Sequence, residues 1–467
     1  MRLIRRNADL FSRGEFDIGR THLMEATINT GHAAPIAEPL RRHAKIHLDV
    51  IDETVEKLKQ PGIVEECNSP WSSNLVVVSK PGSPTPCITV DLRRLNAVTS
   101  RERYPLPLQT ESLEFLSRSV YLSVLDVSHS DFTVPLHAND RDKTAFTTRR
   151  GEFRFCVLPQ GAKNSPAIFS RLMSLVLRGL TYLCALSFID DIIVVGRTFD
   201  EHLLNLELVF NRFRYARLKL KSKKCRLFQR EVVFLGHQVT GGSISIDESK
   251  VACVKDWPFP KTISDLRMFL GFADYYRNFV ARFSAVAEPL NECLRKHVPI
   301  VPTEQRLRAS ESIKTLLTTA PALGLFRNEG DVVIDVDASG FGASAICQQW
   351  QDGYLRVSEY ASCCFSKAER NYCATRREMC ALIFALMHFR PYLLGRKFLC
   401  RVDNLAVSYC QKQKNPTLQI ARYLDFMSQF EFDITSLSAF DSYAAPHDSL
   451  GGLPRMCPST DHTEPAK

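Results

Sequence analysis

The sequence predicts an α+β protein of several domains, and three observations support this prediction. Predicted strands and helices are interleaved over residues 61–238, residues 250–325 are mainly helical, and a second region of strands and helices begins near residue 330. The length of 467 residues agrees with about three domains, and the 45% content of hydrophobic residues is enough for packed cores. The composition therefore excludes a disordered or fibrous protein.

Charge and cysteine content narrow the class of protein further. Lys and Arg outnumber Asp and Glu by 60 to 51, and the resulting net charge of +9 favours an anionic partner without identifying it. We find no apolar stretch of the length that a signal peptide or a membrane span needs, so we expect a soluble, intracellular protein. The 15 cysteines show no Cys/His clusters at zinc spacing, which favours free thiols over a structural zinc site.

The first half of the chain supplies the elements that lead to a pair of aspartates. The predicted elements are, in chain order, a helix over residues 48–58, strands over 75–78 and 87–90, a helix near residue 113, a strand over 120–125 that ends at Asp126, and a helix over 165–180. Pro166 falls in the first turn of the last helix, where its missing amide proton does no harm.

Asp190 and Asp191 lie between two predicted strands, residues 182–189 and 192–195, which are rich in β-branched and aromatic residues. A tight connection places both carboxylates at the tip of a hairpin. Their repulsion there costs free energy unless a proton or a divalent cation neutralises it. From the hairpin alone, a two-metal site and an ordinary polar turn both remain open.

The most basic part of the chain, residues 212–230, contains nine Lys and Arg residues interleaved with Phe213, Tyr215 and Phe228. Cations and aromatic rings at close spacing suit a phosphate backbone and stacked bases, but a solvated helix and turn explain them equally well. The helical region that follows contains predicted helices over residues 266–279 and 310–317, with a polar insert over residues 298–304.

A second acidic cluster is predicted beyond residue 330. Alternation in residues 331–337 places Asp335 and Asp337 on one face of a strand. One helix is predicted over residues 367–388 with Glu378 at the edge of its apolar stripe, and a strand over residues 398–402 ends at Asp403. Three such acids suit a divalent cation, although each alone is more often an exposed surface residue.

The order of short motifs from residue 22 to residue 454 closely resembles the Pol reverse transcriptase and ribonuclease H of gypsy-like long-terminal-repeat retrotransposons. The motifs are Pro70-Trp71-Ser72, Val90-Asp91-Leu92-Arg93, Leu95-Asn96, Tyr104-Pro-Leu-Pro107, Val124-Leu-Asp-Val127, Lys143-Thr-Ala-Phe146, Leu158-Pro-Gln-Gly161, Ser165-Pro-Ala-Ile-Phe169, Phe188-Ile-Asp-Asp191, Phe234-Leu-Gly-His237, Trp257-Pro-Phe-Pro260, Leu266-Arg-Met-Phe-Leu-Gly271, Tyr275-Tyr-Arg277, Val336-Asp-Ala-Ser339, Glu369-Arg-Asn-Tyr372 and Arg377-Glu378. Each motif alone is weak, but so many in the family's order are not a coincidence.

The resemblance implies a right-hand polymerase fold with fingers, a ferredoxin-like palm and a helical thumb and connection, followed by an α/β ribonuclease H-like domain. On this basis residues 1–40 form a lead-in segment, residues 41–240 the fingers and palm, and residues 241–328 the thumb and connection. Residues 329–454 form the ribonuclease H-like domain, and residues 455–467 form a disordered tail without periodicity.

The resemblance also implies site residues for polymerisation. Asp126, Asp190 and Asp191 match the palm carboxylates that hold two Mg²⁺ ions. The remaining residues are nucleotide-binding Lys80, Gln160, Asp131 and Phe132, and nucleic-acid-binding Arg93, Lys219, Lys221, Lys223, Lys224 and the primer grip Phe234, Leu235, Gly236 and His237. The implied partners are an RNA template, a DNA primer and deoxynucleoside triphosphates; no membrane partner is implied, and the oligomeric state is open.

For the second domain, the resemblance implies a ribonuclease H that cuts the RNA strand of an RNA/DNA hybrid. Asp337, Glu378, Asp403 and Asp448 match its four metal-binding acids. They are expected to hold two Mg²⁺ ions and activate water for cleavage.

Two positions depart from the family's pattern. Counted from Asp126, Asp131 stands where the family has an aromatic residue beneath the nucleotide sugar, and Cys87 stands where it has a phosphate-binding arginine. A carboxylate repels a triphosphate, and a thiol lacks the bidentate grip of a guanidinium. The resemblance as a whole nevertheless predicts an RNA-directed DNA polymerase with linked ribonuclease H. The alternative is a polymerase-inactive, nucleic-acid-binding relic of such an element that retains at most ribonuclease H activity.

Overall fold

The computed structural model describes residues 2–14, 16–78, 86–403 and 418–436, and the chain divides into two compact units, Met1–Phe234 and Leu235–Lys467. The α-helices are α1 (Arg2–Arg6), α2 (Lys45–Lys59), α3 (Arg93–Val98), α4 (Gln109–Glu114), α5 (Ser165–Val176), α6 (Phe199–Tyr215), α7 (Glu248–Lys255), α8 (Ile263–Tyr275), α9 (Phe283–Asn291), α10 (Glu304–Thr318), α11 (Lys367–Arg370), α12 (Ala374–His388), α13 (Arg390–Leu393) and α14 (Leu418–Met427). The strands are β1 (Val64–Glu66), β2 (Leu75–Val78), β3 (Cys87–Val90), β4 (Tyr121–Asp126), β5 (Phe146–Thr148), β6 (Gly151–Phe155), β7 (Ala185–Phe188), β8 (Asp191–Gly196), β9 (Arg226–Gln229), β10 (Glu231–Phe234), β11 (His237–Thr240), β12 (Ser243–Ile246), β13 (Leu323–Gly324), β14 (Val332–Ala338), β15 (Gly342–Gln351), β16 (Tyr354–Cys364), β17 (Lys397–Val402) and β18 (Glu431–Ser436).

The first unit is organised around a four-stranded antiparallel sheet of order β7-β8-β4-β9. Helix α6 contributes Leu206, Val209, Phe210 and Phe213 to the core, all at 0% exposure, because they recur at helical spacing along one face. The same unit contains a three-stranded sheet of order β1-β6-β5 and the hairpin β2-β3. This unit thus has the mixed strand and helix content that the sequence predicts.

The central sheet and helix α6 are joined by a buried hydrogen bond. Nε2 of His202 on α6 lies 2.7 Å from Oγ of Ser123 on β4, and the Ser123 Oγ also accepts a bond from the Phe228 amide at 3.0 Å. His202 is fully buried, and burial lowers its pKa. This contact fixes the helix against the strand that ends at Asp126.

The second unit begins with helical elements and a small sheet, in which β12 pairs antiparallel with β11 and β13. Helix α8 starts at a capping box in which the Thr262 hydroxyl accepts from the Asp265 amide and the Asp265 carboxylate accepts from the Thr262 amide. Phe269 and Ala273 of this helix lie in a core shared with Ile313 and Leu317 of α10.

The second unit continues in a five-stranded sheet of order β16-β15-β14-β17-β18. Strand β14 pairs antiparallel with β15 and parallel with β17, and β17 pairs parallel with β18. Helix α12 packs on β14 and β15 and buries Met379, Leu382, Ile383 and Leu386 in the core. The sequence predicts this strand–helix–strand arrangement correctly.

Several predicted boundaries are wrong, each for a local reason. The single helix predicted over residues 367–388 is two helices, because α11 ends at Arg370 and the extended backbone of Cys373 interrupts the helical path before α12. Helix α5 ends at Val176 rather than at residue 180, three residues before Gly179 with its φ of +80°. Strand β7 is shorter than predicted because Tyr182 has a left-handed φ of 59°.

Two further boundaries differ in the helical region. Helix α8 starts and ends earlier than the predicted helix over residues 266–279, whose last residues form a separate 3₁₀ turn, Arg277–Phe279. Helix α10 starts at Glu304, inside the predicted polar insert, because the Thr303 hydroxyl caps its first turn.

Two compositional expectations concern the whole chain. Among the described residues, none of the helices has the length and apolar character needed to cross a membrane. Every cysteine whose side chain the structure describes is a free thiol, as the sequence predicts.

Candidate active sites and nucleic-acid interface

The first candidate site lies where two neighbouring strands meet. Asp126 is the last residue of β4, and it pairs directly with Asp191, the first residue of β8, in the antiparallel register. Asp190 precedes it in the turn, where Ile189 has a left-handed φ of 52°. The fold therefore brings the three predicted palm carboxylates to one end of the sheet.

Electrostatics at this site reflect crowding of like charges. Burial raises the pKa of Asp191, and the charges of Asp126 and Asp190 raise it further. A cation partly compensates, because Nζ of Lys224 donates to Oδ2 of Asp126 at 2.7 Å. That hydrogen bond in turn raises the pKa of Lys224. Lys224, predicted to bind nucleic acid, thus lies within the acidic site as its internal cation.

Asp131 and Phe132 have different environments. Asp131 is half-buried in the 3₁₀ turn Ser130–Thr133, and burial, followed by the charge of Asp190, raises its pKa to about 6. Phe132 is buried at 7% exposure and stacks on Phe155 with ring centroids 6.1 Å apart. Of these two residues, Asp131 therefore interacts electrostatically with the aspartate site, through the charge of Asp190, while the Phe132 ring packs in the core.

The exposed Gln160 lies in a loop that Asn96 fastens to helix α3. Nδ2 of Asn96 donates to the Gly161 carbonyl at 2.9 Å, and Oδ1 of Asn96 accepts from the Lys163 amide at 2.8 Å. Gly161 has a φ of +83°, which suits glycine. Both partners lie in quoted motifs, Leu95-Asn96 and Leu158-Pro-Gln-Gly161, but the sequence did not predict their contact. Predicted Lys80 lies outside the described residues.

Arg93, predicted to bind nucleic acid, forms a fork with Asp91. Its Nε donates to Oδ1 of Asp91 at 2.9 Å and its Nη2 donates to Oδ2 at 2.6 Å. These hydrogen bonds hold the pKa of Asp91 at about 2. The Arg93 side chain is nevertheless highly exposed, so its guanidinium remains accessible to an anion.

The predicted primer grip falls on both units. Phe234 is buried at the end of the first unit. In the second unit, Leu235 and Gly236 both have left-handed backbones, and the hydroxyls of Tyr275 and Tyr276 donate to their carbonyls at 2.7 and 2.8 Å respectively. The sequence did not predict these tyrosine bonds, although both residues lie in a quoted motif.

His237 continues the same turn. Its Nδ1 lies 2.8 Å from the Leu235 carbonyl oxygen, its ring stacks on Phe279 at 5.6 Å, and burial lowers its pKa. A buried, neutral imidazole has a structural role in the turn and offers no charge to a phosphate.

The basic segment, residues 212–230, divides into paired and exposed cations. Lys219 pairs with Asp17 at 3.0 Å, and Arg214 pairs with Asp9 at 3.0 Å. Lys223 is exposed, as is Arg226, whereas Lys221 is half-buried. Of the three aromatic residues, Phe213 is fully buried and Phe228 half-buried; only Tyr215 is largely exposed. Stacking on bases is therefore open to Tyr215 and not to Phe213.

The second candidate site lies on the five-stranded sheet. Parallel pairing of β14 and β17 runs as far as Val336 opposite Val402, so that Asp337 and Asp403 occupy the next positions of adjacent chains. Glu378 projects from α12, which packs on β14. Burial, followed by the charges of Asp337 and Asp403, raises the pKa of Glu378 to about 7. The fold thus brings these three acids together, while Asp448 lies outside the described residues.

Asp335, on the same face of β14 as Asp337, has its own partner. The guanidinium of Arg401 on β17 donates to both of its carboxylate oxygens, at 2.5 and 2.7 Å. Because Arg401 engages both carboxylate oxygens of Asp335, this acid has a structural partner of its own and is not counted among the metal-binding acids.

Whether these acids fit divalent cations depends on their donor atoms and on the partners that those atoms already have. Within the described ranges, no three His, Cys, Asp or Glu side chains form a ready-made metal cage. The donors are nonetheless carboxylate oxygens, which Mg²⁺ prefers, and Oε2 of Glu378 is buried without a hydrogen-bond partner among the described residues. The donor chemistry of both acidic sites therefore fits Mg²⁺. In the first candidate site, Lys224 already donates a hydrogen bond to one of the carboxylate oxygens of Asp126.

Family models match both parts of the chain. Residues 78–239 match the family described as reverse transcriptase (RNA-dependent DNA polymerase), and residues 303–400 match the RNase H-like domain found in reverse transcriptase. Both families generally depend on divalent metal ions.

Curated relatives include Pol polyproteins from Drosophila melanogaster. The retrovirus-related Pol polyprotein from transposon 297 is 31% identical over 91% of this chain and 40% of its own length. That from transposon opus is 32% identical over 86% of this chain and 42% of its own length, and that from transposon gypsy is 27% identical over 89% and 42% respectively. The chain thus spans about two fifths of the length of these relatives.

Solved structures share the fold. The foamy viral protease-reverse transcriptase in complex with dsDNA has a TM-score of 0.81 at 23% identity, covering 94% of this chain and 92% of that one. The same kind of protein in complex with an RNA/DNA hybrid has a TM-score of 0.74 at 23% identity, covering 98% and 62%. These matches confirm the predicted fold class, a polymerase fold followed by a ribonuclease H-like domain. With the family models and the relatives, they show that the chain belongs to the Pol polyproteins of long-terminal-repeat retrotransposons, with a reverse transcriptase domain followed by a ribonuclease H-like domain.

Proposed function

We propose that the chain is an RNA-directed DNA polymerase with a linked ribonuclease H. The observation that best supports the polymerase is the direct pairing of Asp126 with Asp191, beside Asp190, at the end of a central sheet in the region that matches reverse transcriptases. Three carboxylates at one strand end can hold divalent cations beside a primer terminus and an incoming nucleotide.

The polymerase site would hold two Mg²⁺ ions through Asp126, Asp190 and Asp191. When bound, the ions would lower the pKa of the primer 3′-hydroxyl and stabilise the pyrophosphate leaving group. The chain's own contribution is to hold the carboxylates in a fixed register on β4 and β8. Lys224 must release Asp126 to free both of its oxygens for this role.

The ribonuclease H site would use Asp337, Glu378 and Asp403, with Asp448 as the predicted fourth acid. Burial of Glu378 keeps its carboxylate partly protonated near neutral pH, and a divalent cation would favour its ionised form. The proposed substrate is an RNA/DNA hybrid, whose 2′-hydroxyls distinguish it from DNA.

The proposed partners are an RNA template, a DNA primer, deoxynucleoside triphosphates and the resulting hybrid. Related foamy viral proteins solved with dsDNA and with an RNA/DNA hybrid support nucleic acid as the substrate. The net charge of +9 and the exposed Lys223 and Arg226 agree with phosphate binding.

Primer extension on an RNA template tests the polymerase. We expect Mg²⁺-dependent extension by the wild-type chain and its loss in Asp190→Asn. The exposed Asp200 in the first turn of α6 offers a matched control, and Asp200→Asn should extend normally. If well-folded wild-type protein fails to extend a primer at high nucleotide concentration, the polymerase assignment is wrong.

One observation favours a second candidate, a polymerase-inactive protein that only binds nucleic acid. Asp131 is half-buried beside Asp190 and would add negative charge where a triphosphate must bind. This candidate predicts salt-sensitive duplex binding without extension. Cleavage of a labelled RNA/DNA hybrid, compared with Asp337→Asn, separates a protein that keeps only ribonuclease H from an inert one.

A further inference from the structure

The carboxylate of Asp337 has an arginine as its counter-ion. Nη2 of Arg282 donates to Oδ2 of Asp337 at 2.6 Å, and the hydroxyl of Ser344 lies 3.5 Å from the same oxygen. Both partners are accessible to solvent, since the Arg282 side chain is 68% exposed and that of Asp337 is 41% exposed. A divalent cation that binds through Asp337 must therefore compete with this guanidinium.

The backbone holds Arg282 in a defined place. Arg282 immediately precedes α9 and has a left-handed φ of 53°, a backbone conformation that is unfavourable for a residue other than glycine. Two residues later, the Ser284 amide donates to Oγ of Ser362 at 2.9 Å and its hydroxyl donates to the Ser362 carbonyl at 2.8 Å. These bonds fasten the start of α9 to β16, so the arginine is presented to Asp337 by an anchored segment.

A cavity beside Asp337 gives the Arg282 side chain space to move. It has a volume of about 490 Å³, and its lining includes Arg282, Asp337, Phe341 and Arg370. Arg370 does not compete for Asp337, because its Nη2 bonds to Oε1 of Glu288 at 2.5 Å. The arginine that contacts Asp337 can thus leave it without a second cation taking its place.

The contact is specific to one acid of the site. Glu378 is 8% exposed, and its Oε2 has no hydrogen-bond partner in the part of the chain that the structure describes. Asp335, the neighbouring acid on β14, is neutralised by Arg401 through two hydrogen bonds. Arg282 therefore compensates the one member of the predicted ligand set that is both exposed and on the central strand.

We propose that Arg282 is a displaceable internal counter-ion of the ribonuclease H site, which holds Asp337 in the metal-free protein and lowers the affinity of the site for divalent cations. This inference rests on the proposed ribonuclease H function. An exposed ion pair contributes little free energy, so a divalent cation with twice the charge can displace it. Arg282 is a positioning residue here, since it acts through Asp337.

Metal binding by the nucleic-acid-free protein tests the proposal. The 467-residue chain carrying Asp190→Asn, which weakens the palm site, is titrated with Mn²⁺, and the free ion is followed by electron paramagnetic resonance. We expect the added Arg282→Ala change to tighten Mn²⁺ binding about two- to fivefold, the range that an exposed ion pair allows. Arg282→Lys, which keeps the charge, should bind Mn²⁺ nearly as the parent does.

The matched control is Arg390→Ala. Arg390 is an exposed arginine of the same unit whose Nη2 bonds to the neutral Oε1 of Gln429 at 3.2 Å. Its removal changes the net charge equally and should leave Mn²⁺ affinity unchanged. Equal tightening in both alanine variants, or none in Arg282→Ala, would overturn the proposal.

A further variant separates this inference from the proposed function. Asp337→Asn should weaken the Mn²⁺ binding that remains in the Asp190→Asn background. If Asp337→Asn weakens Mn²⁺ binding but Arg282→Ala binds Mn²⁺ with the parent's affinity, only the proposed counter-ion role of Arg282 is wrong. If Asp337→Asn changes nothing, the ribonuclease H metal site itself is wrong.

Discussion

Asp131 is the residue on which the proposed polymerase activity depends most. Its carboxyl group has a pKa of about 6, above its ordinary 3.8, because it is half-buried near Asp190. At pH 7.5 it is mostly ionised and adds to the negative charge of the site, whereas near pH 5.5 it is mostly neutral. A change at this one position therefore alters the electrostatic cost of bringing in a triphosphate.

Replacing Asp131 by Asn or Tyr should lower the Michaelis constant for nucleotides at pH 7.5, because the repelling charge is gone. An effect of about three- to tenfold corresponds to about 1 kcal/mol of relieved repulsion. Steady-state primer extension between pH 5.5 and 8 measures it. In the wild-type chain the constant should rise with pH through about 6, and in Asp131→Asn this rise should disappear. Identical profiles in both proteins would refute the role given to Asp131.

Glu378 should lower the stability of the metal-free protein at neutral pH. Its folded-state pKa of about 7 lies above its ordinary 4.5, so the folded protein holds the proton more tightly than the unfolded chain does. Stability is therefore lost as pH rises from about 4.5 to 7. Glu378→Gln should raise the free energy of unfolding at pH 8 by on the order of 2 kcal/mol and leave it unchanged at pH 4. Urea unfolding in a chelator measures this, and a destabilised variant at pH 8 would contradict it.

At the scale of elements, the sequence predicted which strands deliver the carboxylates but not how the surroundings are held. Apolar, β-branched content was enough to place β4 and β8, and alternation was enough to place β14, because most residues of these strands are buried. The sequence could not predict the contacts of Lys224 with Asp126 and of Arg282 with Asp337, because the partners lie 98 and 55 positions apart in the chain, respectively. The break between α11 and α12 was missed because the apolar stripe that predicts the helix lies wholly within α12, and α11 buries no residue that could mark its own end.

The buried hydrogen bond between His202 of α6 and Ser123 of β4 should make the stability of the first unit sensitive to acid. His202 has a lowered pKa, so the unfolded chain takes up a proton below about pH 6.5 while the folded form resists it. The free energy of unfolding should therefore fall as pH drops below 6.5. Ser123→Ala should lower it at all pH values by about 1 to 3 kcal/mol, because the Phe228 amide and the imidazole lose their partner. The exposed Ser222→Ala is the control, and equal stability of the two variants would contradict this account.

The basic segment should act through its exposed members. Lys223→Ala should reduce the slope of log affinity against log salt for duplex binding by about one. Lys219→Ala should reduce it less, since Lys219 is already paired with Asp17. Fluorescence anisotropy at several salt concentrations measures both slopes. A larger effect of Lys219 would show that the segment meets nucleic acid by another face.

At the scale of the whole molecule, the chain combines two acidic sites in separate compact units, and each contains an internal cation on one acid, Lys224 on Asp126 and Arg282 on Asp337. Such pairs hold carboxylates in place without the cost of unpaired charge. The family's motif order predicted both sites. It did not reveal their counter-ions, which depend on the folded arrangement of each unit.

The measurement that tests the central claim most directly follows both reactions on one substrate, an RNA template with one label annealed to a DNA primer with another. The wild-type chain with Mg²⁺ should lengthen the primer and shorten the RNA. Asp190→Asn should lose only extension, and Asp337→Asn should lose only cleavage of the RNA. If folded wild-type protein leaves both labels unchanged, or if each variant behaves as the wild type does, the assignment of the two sites is contradicted.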